Sequence, residues 1–172
     1  MTMIDRRSLL QSSALAAALS ALGAAGRAEV PAGRDPFEYE ITRTDAEWRE
    51  MLDEESYAIL REGKTEPQRS SDLWFEDRPG SYNCKGCGLE HYTHRTKVVL
   101  SKGWVFFTAS EPNSQLMSQD GRAEMSDPSP FDIFIEVHCR RCGSHTGHIL
   151  LVENNLLHCI NGTALDFVEA AA

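Results

Sequence analysis

The sequence is poor in basic residues: 17 Lys and Arg stand against 26 Asp and Glu among 172 residues, a formal net charge of −9 at pH 7. An acidic surface repels phosphate backbones, which argues against a nucleic-acid partner. Outside the first 28 residues, no apolar run approaches the roughly 20 residues that a membrane-spanning helix needs. The sequence has no internal repeat, and its length suits one domain with its own hydrophobic core.

The first 28 residues have the composition of an export signal. Arg6 and Arg7 precede an Ala- and Leu-rich run, and small residues suited to cleavage follow at 23–25 and 26–28. The paired arginines predict the twin-arginine route, which carries folded proteins to the periplasm. An uncleaved membrane anchor is the alternative, but glutamine and serines make the run weakly hydrophobic. We therefore predict a signal peptide over 1–28 and no stable membrane association after its removal.

Composition divides the remaining chain into three parts. A linker rich in Pro, Gly and charge is predicted over 29–43, a folded domain over 44–168 and a loose tail of small residues over 169–172. In the domain, short helices are expected first and β-strands afterwards. This order predicts a mainly β fold of the α+β class, with antiparallel sheets.

Local signals place the elements of the domain. Thr44 and Glu47 have the form of a capping box, which begins a helix with Trp48, Met51 and Leu52 on one face. The other predictions, in chain order, are a helix over 54–62 that ends at Gly63, a polar surface loop over 64–82, a strand within 97–108, loops over 109–130, an alternating strand through Phe131, Ile133, Ile135 and Val137, and a hairpin of 149–152 with 156–160.

Four cysteines form two similar pairs, and the fifth stands alone. Cys84 and Cys87, and then Cys139 and Cys142, are each separated by two residues and followed directly by glycine. Two such turns supply four thiolates to one tetrahedral ion, and the glycine lets the chain turn sharply. The pattern predicts a closed, structural zinc site. Two disulfides are the alternative, because an exported protein enters an oxidising compartment, although zinc could bind before a folded protein is exported.

Cys159 has no partner once those four cysteines are assigned. His145 and His148 precede it, and the predicted hairpin returns the chain alongside Cys159. A thiol with nearby imidazoles is the minimum set for a nucleophile with a general acid or base. The alternatives are a buried, inert cysteine and histidines with a structural role.

Four segments occur in order around these residues: GSYNCKGCG, KVVLSKGW, EVHCRRCGSHTGHIL and LLHCINGTALDF. Together they resemble the methionine-R-sulfoxide reductases of the MsrB, or SelR, type. The resemblance extends from about Trp48 to Phe167, nearly the whole chain after the predicted signal peptide. It implies the family's antiparallel β-fold with short N-terminal helices and a zinc knuckle.

The resemblance also implies a role for each residue of the site. Cys159 matches the nucleophile that attacks the sulfur of methionine-R-sulfoxide and becomes a sulfenic acid. His145 and His148 match paired histidines that position substrate or water and help supply a proton to the oxygen. Asn161 matches the asparagine beside the nucleophile, and Trp104 matches the aromatic residue that contacts the substrate's methyl group. The four paired cysteines match the family's structural zinc ligands.

Three positions depart from the family's pattern. Leu157 stands two residues before Cys159, where an arginine is usual, and residues two apart on a strand share a face. Without that cation less thiolate is expected at neutral pH, and His158 is predicted to point to the opposite face. The usual Gly-Trp-Pro-Ser-Phe is replaced over 103–107 by Gly-Trp-Val-Phe-Phe, and Lys102 stands where many members have a resolving cysteine.

We therefore predict an exported oxidoreductase that reduces methionine-R-sulfoxide, free or in proteins, in the repair of oxidative damage. Since no cysteine is spare, an external thiol or a thioredoxin-like partner should reduce the sulfenic acid. Leu157 and the altered segment leave two alternatives: a zinc-stabilised binding module that is catalytically weak or inactive, and a reductase for another sulfoxide.

Overall fold

The structure, a computed structural model, describes residues 37–119 and 135–171. The predicted signal peptide, most of the predicted linker and the beginning of the strand predicted from Phe131 lie outside these ranges. Within them, no helix is long and apolar enough to cross a membrane. The domain boundaries predicted from composition stay predictions.

Two short helices begin where the local sequence predicts. Helix α1 spans Asp45–Met51 and starts with the capping box: the Glu47 N–H donates to Thr44 Oγ1 at 3.3 Å, and the Thr44 N–H donates to Glu47 Oε2 at 2.7 Å. Helix α2 spans Glu54–Glu62 and ends at Gly63, which has the left-handed conformation that favours glycine. Both helices are therefore delimited by contacts within a few residues of their ends.

Nine strands form two antiparallel sheets within the described residues, which confirms the predicted fold class. The first sheet has the order β2-β1-β9, and the second has the order β3-β4-β8-β7-β6-β5. The strands are β1 Gly80–Cys84, β2 Glu90–Thr93, β3 Lys97–Val98, β4 Val105–Phe107, β5 Gln115–Gln119, β6 Ile135–Cys139, β7 His145–Val152, β8 Asn155–Ile160 and β9 Leu165–Glu169. Short 3-10 helices occupy Asp72–Trp74, His94–Thr96 and Gly162–Ala164.

Strand structure predicted within 97–108 is present as β3 and β4, which pair with each other. One segment differs from the sequence prediction. The segment 109–130, predicted as loops, contains β5, which pairs with β6 at the edge of the larger sheet. Leu116 and Met117 are adjacent rather than alternating, so the sequence gives no period-2 signal for this edge strand.

The predicted hairpin of β7 and β8 is present. Its turn consists of Glu153 and Asn154, which both have positive φ values, of 49° and 64°. Two consecutive residues of this kind are typical of the type I′ turn, whose twist matches that of the paired strands. The turn fixes the pairing register of the two strands that carry the histidines and Cys159.

The hydrophobic core consists of two clusters. Trp48 and Leu60 of the helices pack against the paired cysteines in the first cluster, whereas Met51, predicted on the same face as Trp48, is exposed. The second cluster joins both sheets, and its Tyr92 and Phe107 rings are stacked with centroids 4.0 Å apart. Alternate residues of the larger sheet enter this second cluster, which leaves the sheet's other face for the candidate site.

Candidate active site and metal centre

The four paired cysteines converge on one point. Their sulfur atoms all lie within 4.8 Å of one another, with 3.8 Å between Cys84 and Cys142 and 3.4 Å between Cys87 and Cys139. A tetrahedral ion with metal–sulfur bonds of about 2.3 Å needs sulfurs about 3.8 Å apart, whereas a disulfide needs about 2.05 Å. The donor set and its spacing therefore fit one four-coordinate metal ion with no open position.

The two cysteine turns have the local geometry that the sequence predicts. Gly88 and Gly143, which follow the second cysteine of each pair, have φ values of +73° and +68°. The Gly88 N–H donates to the Cys84 carbonyl at 2.7 Å, and the Gly143 N–H donates to the Cys139 carbonyl at 2.8 Å. Each turn therefore directs both of its sulfurs to the same side.

The candidate nucleophile lies in a row of residues that crosses the larger sheet. Cys159 in β8 is directly opposite Phe106 in β4 on one side and His148 in β7 on the other. His148 is in turn opposite Glu136 in β6. Directly opposite residues of antiparallel strands share a face. The thiol and this imidazole are therefore neighbours on the face that the second core cluster leaves free.

A β-bulge brings the second histidine to the same face. His145 and His148 are three residues apart, which on a regular strand would place them on opposite faces. The register of β6 and β7 shifts by one residue here, so Thr146 is the extra residue of a bulge. The Thr146 hydroxyl donates to the Val137 carbonyl at 2.8 Å. As a result, the two imidazole centroids lie only 5.2 Å apart.

Gly147 allows a close approach of the two strands at the nucleophile. A Cβ atom at Gly147 would lie 2.2 Å from the carbonyl oxygen of Cys159 and 2.9 Å from the Cα atom of Ile160. Real Cβ atoms do not approach backbone so closely, so any side chain would separate β7 from β8. The glycine between the two histidines is therefore a requirement of the site.

The environment of Cys159 keeps its thiol protonated at neutral pH. Burial, followed by the negative charge of Glu66, raises the pKa of Cys159 to about 12. Leu157, on the same face two residues earlier, is only 5% exposed and supplies no positive charge. His158 lies on the opposite face, as predicted, where its Nδ1 is 3.0 Å from the Tyr92 hydroxyl. The thiol needs a base before it can attack.

Glu66 is a residue of the site that sequence reasoning missed. Its side chain is 3% exposed, and its carboxylate accepts hydrogen bonds from the Gly162 N–H at 2.7 Å and from the Thr163 N–H and hydroxyl at 2.8 and 2.7 Å. Its own N–H donates to Asn161 Oδ1 at 3.0 Å, and its carbonyl accepts from Trp104 Nε1 at 3.2 Å. The segment 64–82, predicted as a surface loop, thus crosses the site, and nothing in its polar composition indicates this.

The two remaining predicted residues are held by these contacts. Asn161 is buried, and its amide donates to the Thr146 carbonyl at 3.1 Å in addition to accepting from Glu66. This amide therefore joins the bulge to the segment that crosses the site. Trp104 is half-buried, and its bond to Glu66 fixes the orientation of the indole. The catalytic role of Asn161 and the substrate contact of Trp104 stay predictions.

Comparisons with known proteins show the family of the chain. The family model described as the SelR domain matches residues 52–169. The chain belongs to the SelR domain family. It is 33% identical, over 76% of this chain and 92% of the relative, to a peptide methionine sulfoxide reductase MsrB of Leifsonia xyli subsp. xyli. It is 36% identical to one of Pseudomonas putida, over 73% and 94% of the two chains.

A eukaryotic relative is similar to the same degree. The peptide methionine sulfoxide reductase B3 of Arabidopsis thaliana is 31% identical over 77% of this chain and 73% of the relative. Among solved structures, that of the Mis18 "Yippee-like" domain covers 55% of this chain and 100% of its own, at 12% identity and a TM-score of 0.42, which is too low to support an argument.

The family model and the named relatives confirm the predicted family, and with it the prediction of an oxidoreductase.

This SelR domain separates its two groups of thiols. The sulfurs of the four paired cysteines converge beside the helices. Cys159 lies with His145 and His148 on one face of the larger sheet. The four predicted metal ligands are therefore separate from the predicted nucleophile and its two histidines.

Proposed function

We propose that this SelR domain reduces methionine-R-sulfoxide to methionine, with Cys159 as the nucleophile. The observation that carries the proposal is the position of Cys159 directly opposite His148 in the β7–β8 pair. A thiol whose pKa is about 12 is almost entirely protonated at pH 7, so it needs an adjacent base. The relatives named peptide methionine sulfoxide reductase MsrB support this choice of substrate.

The reaction balances without an added proton. An imidazole of the histidine pair takes the thiol proton, and the Cys159 sulfur attacks the sulfur of the sulfoxide. The sulfoxide oxygen receives that proton and ends on Cys159 as a sulfenic acid, while methionine leaves as a thioether. Cysteine is thereby oxidised and methionine reduced by two electrons. Trp104, whose indole is fixed by Glu66, supplies an aromatic wall for the substrate's methyl group.

An external reductant should close the cycle. The other four of the five cysteines form the metal centre, so Cys159 has no second thiol with which to form a disulfide. Lys102, at the position considered for a resolving cysteine, is exposed and pairs with Glu153 at 3.1 Å. Two equivalents of a small thiol, or a dithiol protein of the thioredoxin type, would return Cys159 to its thiol and release water.

The metal is proposed to be zinc, with a structural role. Four thiolates at tetrahedral spacing are the ligand set that zinc prefers in structural sites. Cys84, Cys87, Cys139 and Cys142 would hold it, and it would stabilise the fold without acting on substrate. We also propose that the protein works in the periplasm after export by the twin-arginine route, because of the paired arginines at its N-terminus.

An assay with separated stereoisomers tests the proposed function. The metal-loaded protein would be mixed with dabsyl-methionine-R-sulfoxide and dithiothreitol, with the S-sulfoxide as a matched control substrate. We expect methionine from the R isomer only, and none from Cys159→Ser. Equal reduction of both isomers, or no change on substitution of Cys159, would contradict the proposal.

A binding module without turnover is the second candidate. The observation that favours it is the apolar side chain of Leu157 beside a protonated thiol. In that case the same protein would bind a sulfoxide peptide in a calorimetric titration while forming no product with dithiothreitol. Turnover of another sulfoxide, in the absence of methionine formation, would instead indicate a reductase with a different substrate.

A further inference from the structure

One carboxylate on the face of the site has no role in the reaction described so far. Glu136 is opposite His148 in the strand register, but its hydrogen bond is to the other histidine, with 2.7 Å between Glu136 Oε1 and His145 Nδ1. Its second oxygen, Oε2, accepts from the Ser118 hydroxyl at 3.2 Å. Both oxygens of the carboxylate are therefore engaged, and its orientation is fixed.

The proton in the bond between Glu136 and His145 belongs to the imidazole. Burial by itself would raise the pKa of Glu136, but the hydrogen bond and charge of His145, with the charge of His138, lower it below its ordinary value. The carboxylate is therefore ionised at neutral pH and can only accept. It follows that His145 carries a hydrogen on Nδ1.

The other nitrogen of His145 is left for the site. The side chain of His145 is 0% exposed, and its Nε2 atom has no hydrogen-bond partner among the described residues. A buried polar atom without a partner is costly, which suggests that a reacting group supplies the partner. The ring lies beside that of His148, which is opposite Cys159. One ring nitrogen of His145 is thus hydrogen-bonded to Glu136, and the other can bond to a reacting group.

We propose that Glu136 is a positioning residue, which holds His145 with its proton on Nδ1 so that Nε2 exchanges protons with the reacting groups. The proposal rests on the proposed function. With Nδ1 occupied, Nε2 is the ring nitrogen of His145 that is left to accept the proton released from the Cys159 thiol and to return it to the sulfoxide oxygen. Glu136 forms its hydrogen bonds with His145 and Ser118, so it acts through the tautomer of His145.

The test combines a measurement of the tautomer with a measurement of the reaction. Nitrogen-15 spectra of the metal-loaded, histidine-labelled protein report which nitrogen of the neutral His145 ring is protonated, with His145→Gln for assignment. Glu136→Leu removes the acceptor. Glu90→Leu is the matched control, because Glu90 is exposed in the smaller sheet. Rapid mixing with methionine-R-sulfoxide then gives the rate of the first turnover.

We expect the neutral ring to carry its proton on Nδ1 in the unsubstituted protein and in Glu90→Leu, and to lose this preference in Glu136→Leu. The first turnover should slow by roughly 10- to 100-fold in Glu136→Leu, no more than the roughly 10²- to 10⁴-fold that a general acid–base group contributes. The rate at which dithiothreitol reduces the Cys159 sulfenic acid, measured separately, should fall less than the rate of the first turnover. A general loosening of the fold would not produce this difference between the two rates.

Several results would overturn the proposal. If the neutral His145 ring of the unsubstituted protein carries its proton on Nε2, the proposal is wrong. This result needs no variant, so it decides the question even if Glu136→Leu fails to fold. An unchanged tautomer or an unchanged first-turnover rate in a folded Glu136→Leu protein would overturn the proposal as well. Absence of turnover in the unsubstituted protein refutes the proposed function instead, and the spectra then still decide whether Glu136 sets the tautomer.

Discussion

Replacing Leu157 by arginine would show how far the neighbouring side chain controls the thiol of Cys159. The two residues share a face of β8 and are about 7 Å apart, because a strand rises roughly 3.4 Å per residue. A positive charge at 7 Å stabilises the thiolate by about 2.4 kcal/mol at an effective dielectric constant of about 20. The pKa of Cys159 should therefore fall from its value of about 12, and the thiolate population at pH 7 should rise by about 50-fold.

Alkylation by iodoacetamide measures this change directly. A thiolate of lower pKa is a weaker nucleophile. With a Brønsted coefficient of about 0.4–0.5, the reactivity of each thiolate falls by roughly 6-fold, which offsets part of the gain in thiolate population. The second-order rate constant at pH 7 should thus rise by about 10-fold. The reagent must be used on the metal-loaded protein, so that the four bound cysteines do not react. Metal content and circular dichroism would verify that the variant is folded.

Leu156→Arg is the control for this experiment. Leu156 is adjacent in sequence but 63% exposed, and it lies on the opposite face of β8. The same charge at that position should change the alkylation rate little, since solvent screens it. If Leu157→Arg reacts no faster than the unsubstituted protein, or if Leu156→Arg accelerates equally, then the local charge does not control this thiol.

Three further predictions concern the site and the metal centre. Gly147→Ala should lower the free energy of unfolding by about 1–3 kcal/mol and reduce turnover, because the alanine Cβ would collide with the Cys159 carbonyl oxygen. An unchanged thermal unfolding temperature would contradict the close approach of the two strands. Cys139→Ser should reduce bound metal from one ion per chain and lower the temperature of unfolding, as measured by elemental analysis and calorimetry. Alkylation of Cys159 should rise about tenfold per pH unit between about pH 7 and pH 10, whereas a plateau near pH 8 would mean that its pKa is not raised.

The features that the sequence predicts correctly have local causes. Thr44 and Glu47, which are three residues apart, cap the first helix, and Gly63 ends the next helix by its own backbone conformation. The cysteine turns likewise depend on two residues between thiols and one glycine after them. In each case the interacting groups lie within a few residues, so a short pattern contains the whole explanation.

The features that the sequence does not predict depend on contacts between distant residues. The shared face of His145 and His148 results from a bulge, which exists only in the pairing of β7 with β6. Glu66 reaches the backbone of Gly162 across 96 residues of sequence. Nothing near Glu66 indicates burial, since an acidic residue before a proline is typical of an exposed loop. Such residues are found only when the strands and the segments that cross them are placed in space.

The metal centre and the thiol centre are linked by the chain itself. Cys139 is the last residue of β6, and its N–H donates to the Ser144 carbonyl at 2.8 Å, directly before β7 begins at His145. The second cysteine turn is therefore the connection between the strand that carries Glu136 and the strand that carries both histidines. A metal ion that fixes this turn also fixes where the bulge forms. Metal loss should consequently displace His145 before it exposes the core, and first-turnover rates should fall at chelator concentrations that leave the far-ultraviolet circular dichroism unchanged.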